Sequence, residues 1–210
     1  RYTEQDVLLL KQGFQKYLSI PHEFVCLTNK LDMNVNTIPL ISDNKGWWAK
    51  LELFRKGLFS TPVFYIDLDM LLFDNLDIVI EKCQGHSFLM LSNHEFSVNK
   101  DNAAASGIMY WEGDYSYLWD EFVKNPEKFK KEYSKHPRLG DQAFTCERVE
   151  WKSFFEINEF KKEWFWWLDL KKSPHPETKI LIGEGKRKFD NPKYQKLPWV
   201  REKIGQIISG

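Results

Sequence analysis

Apolar residues Val7, Leu10, Phe14, Tyr17 and Leu18 recur at helical spacing behind Thr3 and Asp6, a pair suited to cap a helix N-terminus. Pro21 closes the helix they predict. The next apolar run, over 23–28, reads as a strand ending in polar Thr28-Asn29. A turn-rich stretch over 30–45 leaves room for one short strand at 37–41. Gly46 then opens a second helix carrying Trp47, Trp48, Leu51, Phe54 and Leu58, stopped by Gly57 and Ser60-Thr61-Pro62. Strand-forming residues at 62–66 follow and run directly into Asp67-Leu68-Asp69. Beyond them the pattern predicts a short turn or helix from Asp74-Asn75 to Ile80 and apolar strands over 87–91 and 107–111. Helices start at Asp114 and Pro126, and a loop turns into a helix over 139–144. The aromatic stretch 151–170 fits a strand or a packed loop around Phe165-Trp166-Trp167-Leu168. A short strand over 179–182 and a final helix over 197–208 complete the order. Strands alternating with helices, without an internal repeat, predict an α/β fold: one domain over 1–210, with a mostly parallel central sheet flanked by helices.

Asp67 and Asp69 give this order a chemical focus. Spaced i, i+2 on a strand, two carboxylates share one face. At a strand end they would lie at the rim of a sheet, where open α/β folds bind ligands. Two hard oxygen donors there suit Mg²⁺ or Mn²⁺ held jointly with a substrate's phosphates. A D-x-D by itself is short, and loop carboxylates that cap a neighbouring helix produce it too. The sequence contains no G-x-x-x-x-G-K-[ST] and no G-x-G-x-x-G, which removes the P-loop and standard dinucleotide-binding readings.

Composition narrows the classes further. Lys+Arg equals Asp+Glu at 30 each, so the basic excess of a general nucleic-acid binder is missing. Cys26, Cys83 and Cys146 are odd in number and far apart, with no C-x-x-C pair. Neither a zinc site nor a disulfide framework is suggested, and reduced thiols in a cytoplasmic protein are expected. No apolar run approaches the roughly 18 residues of a membrane span, and no secretory signal opens the sequence. His22, His86, His94, His136 and His175 lack metal-ligand spacing. No G-x-S-x-G supports a serine hydrolase. Aromatic residues reach 16%, with nine Trp. A heavily aromatic core accounts for most of them, and sugar rings, whose C–H faces stack on aromatics, are a compatible ligand.

Four segments in order carry a family likeness: Gly46-Trp47-Trp48-Ala49-Lys50-Leu51-Glu52-Leu53-Phe54, Val63-Phe64-Tyr65-Ile66-Asp67-Leu68-Asp69, Ala105-Ser106-Gly107-Ile108-Met109-Tyr110-Trp111, and Gly140-Asp141-Gln142. Together they resemble the GT-A glycosyltransferases, in particular the small glycogenin and galactosyltransferase-like (family 8-type) group, over about residues 2–190. The resemblance implies a GT-A-like, nucleotide-diphospho-sugar transferase domain. It also implies transfer of a hexose-type sugar from a UDP-sugar, with retention, to an unknown sugar, lipid or protein acceptor. Mn²⁺ or Mg²⁺ would be bound by Asp69, with Asp67 reaching metal or ribose. Lys50 matches the family's basic residue ahead of the D-x-D and would touch phosphate or sugar. Ser106 and Gly107 would let the backbone approach the donor sugar. Asp141 and Gln142 would lie at the reacting sugar, and Gly185 and Lys188 match a phosphate clasp. Asp141 is the candidate nucleophile if the reaction passes through a covalent intermediate.

The sequence also departs from that family. Ala105 stands where Asn is common. Ile182-Gly183-Glu184-Gly185-Lys186-Arg187-Lys188 contains no His, which leaves Glu184 as the candidate third metal ligand. The strand that normally precedes the first helix is expected in an upstream segment; otherwise the nucleotide pocket is incomplete. Plain structural roles compete at several positions: Asp141 as a helix cap, Lys50 as a solvated helix lysine, Lys186–Lys188 as a solvated basic run. Two other functions are compatible with the sequence. One is a nucleotide-sugar-binding module with an impaired site. The other is a haloacid-dehalogenase-type phosphatase, disfavoured by Leu71 after the D-x-D and by the mid-chain position of the motif.

Overall fold

A computed structural model of the chain describes residues 2–60, 62–92, 104–135, 138–169, 171–183 and 192–209. In chain order its elements begin with α1 (Glu4–Tyr17), β1 (Val25–Thr28), β2 (Asn36–Pro39) and a 3₁₀ segment at Gly46–Phe54. Then come β3 (Val63–Ile66), β4 (Met70–Leu72), α2 (Asp77–Cys83), β5 (Phe88–Ser92), β6 (Ala104–Trp111), α3 (Ser116–Phe122) and α4 (Pro126–Glu132). Last are β7 (Ser134–Lys135), β8 (Arg138–Leu139), α5 (Gly140–Cys146), β9 (Lys152–Ser153), β10 (Phe165–Trp167), β11 (Ile180–Ile182), α6 (Pro192–Gln195) and α7 (Pro198–Ile208). The chain forms two compact units, each from separate segments. One takes Arg1–Ile38, Asp67–Lys82 and Glu159–Gly210, the other Pro39–Ile66 and Cys83–Asn158.

The first unit is built on a three-stranded sheet in the order β10-β11-β4. β11 runs parallel to β10 and antiparallel to β4, with Ile182 opposite Met70. Leu71 and Leu181 are almost fully buried and join Leu168, Tyr194, Val200 and Ile207 in one apolar cluster that ties α6 and α7 to the sheet. Each such side chain contributes about 1.5–3 kcal/mol by leaving water. Thr3 caps α1 as expected, its N–H and hydroxyl both donating to Asp6 Oδ2. Gly13 allows α1 to approach β4 closely, since a Cβ there would meet Leu72 Cδ1 at 3.2 Å.

The second unit carries a four-stranded sheet ordered β3-β6-β5-β9. Every residue of β5 is buried, the apolar run Phe88–Leu91 as well as Ser92, whose hydroxyl accepts that of Ser153 at 2.9 Å. Beside it the aromatics pack densely. Trp48 stacks on Phe122 at 5.3 Å, and Phe144 makes T-shaped contacts with Phe122, Phe129 and Tyr133. In the 3₁₀ segment, three residues per turn align positions i and i+3. Trp48, Leu51 and Phe54 therefore form one buried row, and Trp47, Lys50 and Leu53 form its neighbour, with Trp47 exposed.

The α/β class agrees with the alternation read from the sequence. The expected mostly parallel sheet needs correction among the described residues. β6 is antiparallel to both β3 and β5, and only β9 joins that sheet parallel, on β5. Parallel pairing needs a crossover between strands, and the hydrophobic pattern offered no helix between β5 and β6.

Candidate active site

β3 stops at Ile66, and Asp67-Leu68-Asp69 form the turn that leads into β4. Strand alternation therefore does not set the directions of the two carboxylates, as the i, i+2 spacing suggested. The turn sets them. Asp67 is half-buried and Asp69 is buried. Two contacts within the first unit anchor Asp69. Its Oδ2 accepts the Tyr2 hydroxyl at 3.2 Å, and its carbonyl accepts the Gly183 N–H at 2.7 Å. The second contact extends the β4–β11 pairing by one residue and fixes the turn against the end of β11. Gly183 is followed in sequence by Glu184. Glu184, Gly185 and Lys188, with their predicted ligand and clasp roles, lie outside the described residues.

Among the described residues, no three His, Cys, Asp or Glu side chains are grouped to hold a metal ion. Asp67 and Asp69 offer two hard oxygen donors in one turn. That set fits Mg²⁺ or Mn²⁺, which bind one or two carboxylates and complete their shells with phosphate and water oxygens.

The second unit brings three predicted residues from distant segments into one buried network. Lys50 Nζ donates to the Ser106 carbonyl at 3.1 Å and to Ser106 Oγ at 3.0 Å. The Ser106 hydroxyl in turn donates to Asp141 Oδ2 at 2.7 Å, and Lys50 Nζ stands 3.6 Å from the same oxygen. The Lys50 side chain is only 10% exposed and that of Asp141 6%. The ammonium also sits 5.3 Å from the Tyr65 ring centroid, a cation–π distance. A solvated helix lysine is thus not what Lys50 is. Asp141 occupies the first turn of α5, and its carboxylate reaches across to Ser106 and Lys50.

An irregularity in the sheet accounts for the position of Ser106. Met90 of β5 pairs with Met109, but the next residue, Leu91, pairs with Ala105. Residues 106–108 of β6 thus have no counterpart on β5, a bulge of the kind that re-aims side chains beside functional sites. Ser106 and the half-buried Gly107 lie in it. Gln142 follows Asp141 on α5 and is half-buried. Gly140 starts α5 at φ +68°, and a Cβ there would come within 3.0 Å of Trp47 Nε1. Glycine is required on both counts.

Sequence reasoning missed two residues. Tyr2 gave no signal, because its contact with Asp69 spans 67 positions. Glu52 is fully buried beside Lys50's turn and accepts the Ile41 N–H at 2.8 Å, the Ser42 N–H at 3.0 Å and the Ser42 hydroxyl. A lone acid inside Leu51-Glu52-Leu53-Phe54 was a legible sign of that role.

Neither a protein-family model nor a curated protein sequence matches the chain. Solved structures do. The glycosyltransferase GlyE of Streptococcus pneumoniae TIGR4 superposes with a TM-score of 0.62 at 12% identity, over 98% of this chain and 61% of GlyE. This chain thus spans less than two thirds of GlyE's length. An active-site mutant of LgtC gives 0.63 at 10% identity over 98% of this chain and 91% of LgtC. The galactosyltransferase LgtC in complex with donor and acceptor sugar analogues gives 0.59 at 11% identity, over 97% and 91%. The chain therefore has the α/β, GT-A-like fold of these glycosyltransferases.

Proposed function

We propose that the chain is a metal-dependent glycosyltransferase that moves a hexose-type sugar from a nucleoside-diphosphate donor, a UDP-sugar, to a sugar, lipid or protein acceptor. The observation that carries this reading is the buried Lys50–Ser106–Asp141 network, assembled from three segments on a fold shared with glycosyltransferases. Asp67 and Asp69, with Glu184 as a third ligand, would hold Mn²⁺ or Mg²⁺, which supplies Lewis-acid stabilisation to the departing diphosphate. Gly185 and Lys188 would clasp the phosphates by charge and backbone contact. Ser106 and Gly107, set in the bulge of β6, would admit the donor sugar, and Gln142 would orient it. Ser106 and Lys50 both engage Asp141's carboxylate and fix its orientation. That suits a group stabilising positive charge that builds on the sugar carbon; retention is proposed on the family likeness, by a covalent intermediate on Asp141 or by same-face departure and attack.

The three free cysteines accord with work in the reducing cytoplasm. Among the described residues, no helix is long and apolar enough to cross a membrane.

The test is calorimetric titration of UDP with and without Mn²⁺, followed by a UDP-sugar hydrolysis assay. Metal-dependent binding and turnover are expected in the wild type, with both lost in Asp69→Ala. Unchanged turnover in that variant refutes the assignment. The missing His of the 182–188 segment and Ala105 in place of the family's Asn favour a second reading, a module that binds nucleotide sugar without turnover. Binding without hydrolysis would establish it.

A further inference from the structure

Asp69 and Asp141 are both buried, but different chemistry meets their carboxylates. Asp141 has the Lys50 ammonium 3.6 Å away. At Asp69, the neutral hydroxyl of Tyr2 donates to Oδ2 at 3.2 Å. A carboxylate taken out of water needs donors or a cation around it. A neutral donor orients such a group without cancelling its charge. An ionised carboxylate has about four acceptor positions, enough to hold a hydroxyl and a cation together.

Both ends of this hydrogen bond stand on fixed backbone within the first unit. Thr3, the residue after Tyr2, caps α1 through Asp6. Glu4 in the first turn of the helix pairs with Lys30 at 2.9 Å. Further along, Gly13 lets α1 close onto Leu72 of β4, the strand that begins directly after Asp69. The helix headed by Tyr2 is therefore seated on the strand that leaves the Asp67–Asp69 turn. On the other side, the Asp69 carbonyl accepts the Gly183 N–H at 2.7 Å, so the turn is held against the end of β11. With both backbones fixed, the hydroxyl has one carboxylate to meet and sets its rotation.

We infer that Tyr2 is a positioning residue for a divalent cation: its hydroxyl fixes the rotation of the Asp69 carboxylate and thereby raises metal affinity. The inference rests on the metal-dependent reading of Asp67 and Asp69 and adds the group that orients one of those ligands. Hydrogen-bond partners of a ligating side chain contribute about 10- to 100-fold in metal affinity. At 3.2 Å this bond is longer than the roughly 2.7–2.8 Å of a good O–H···O bond, so the low end, about tenfold, is expected.

The experiment is titration of Mn²⁺ into the full chain, alone and with UDP, with free Mn²⁺ read from its electron paramagnetic resonance signal. Tyr2 is 37% exposed, and Tyr2→Phe keeps the ring while removing only the hydroxyl. Its Kd for Mn²⁺ should be about tenfold weaker than that of the wild type. The Mn²⁺ concentration giving half-maximal UDP-sugar hydrolysis should rise by the same factor. Without metal, the variant should melt within about 2 °C of the wild type, which a mainly structural role for the hydroxyl would not allow. Mn²⁺ affinity within about twofold of the wild type overturns the inference. So does tighter binding in Tyr2→Phe, which would make the hydroxyl a competitor of the cation, or a weakening matched by a large loss of metal-free stability. A wild type that binds no Mn²⁺, with or without UDP, removes the metal-dependent reading itself and this inference with it; a wild type that binds Mn²⁺ as tightly as Tyr2→Phe removes the inference alone.

Discussion

Replacing Lys50 by Met would test the buried network directly. Lys50 Nζ lies 3.6 Å from Asp141 Oδ2, with side chains 10% and 6% exposed. At an effective dielectric constant near 20, that separation corresponds to a gross attraction of about 5 kcal/mol, most of it offset by the desolvation of both charges. The variant does not simply remove that attraction. It leaves the Asp141 carboxylate buried without its cation, and breaking one side of a buried pair costs about 3–5 kcal/mol. Ser106 still donates to Asp141 at 2.7 Å, so the low end, about 3 kcal/mol, is expected. For a chain of 210 residues this lowers Tm by about 6–12 °C. Urea unfolding followed by circular dichroism measures the change. The double variant Lys50→Met, Asp141→Leu should recover at least about 1 kcal/mol relative to the sum of the single changes, since it leaves no orphaned charge. A single-variant cost below about 0.5 kcal/mol, or strict additivity, would show that the pair is solvated and the argument wrong.

Three further outcomes follow from the geometry. Gly140→Ala should cost about 1–2 kcal/mol, because φ +68° and the overlying Trp47 indole both oppose a Cβ; an unchanged urea midpoint contradicts this. Glu52→Gln keeps the shape of a fully buried side chain but removes a charged acceptor of two N–H groups. It should cost about 1.5–3 kcal/mol and speed hydrogen exchange at Ile41 and Ser42, and unchanged exchange there would refute the clamp. Hydrogen bonds from Ser19 and Asn75 hold Asp77 below its ordinary value of 3.8, at about 2. Its contribution to stability is therefore present above about pH 4 and lost as pH falls toward 2. Asp77→Asn should flatten that part of the stability profile, and an unaltered slope would refute the link.

Local signals were legible in the sequence, and long-range ones were not. Thr3 with Asp6, and Pro126, mark helix starts because a cap or a fixed backbone angle acts within a few residues. The 3₁₀ character of Gly46–Phe54 could not be read, since Trp48, Leu51 and Phe54 satisfy a period of 3.0 as well as 3.6 over so short a run. Asp67 and Asp69 were found by type and spacing, but the strand was expected to continue through them, and only its pairing with β6 ends it at Ile66. Ser106 and Asp141 were named by family likeness alone. The shift between Met90 and Leu91 that aims Ser106 is a property of two strands, which neither sequence segment carries by itself.

The composition of the network bears on why it exists. A buried ion pair is seldom more stable than apolar side chains of the same volume, and the core of this unit is apolar and aromatic, with Trp48, Phe144 and Ile108 all buried in it. Met at position 50 and Leu at position 141 would fill comparable space without desolvating two charges. Stability alone therefore does not account for Lys50 and Asp141. The proposed glycosyl transfer would account for them, because groups already desolvated and oriented need no reorganisation when charge develops on a reacting sugar. Lys50→Met, Asp141→Leu should therefore keep most of the folding free energy that the single Lys50→Met variant loses, yet recover none of the proposed sugar transfer.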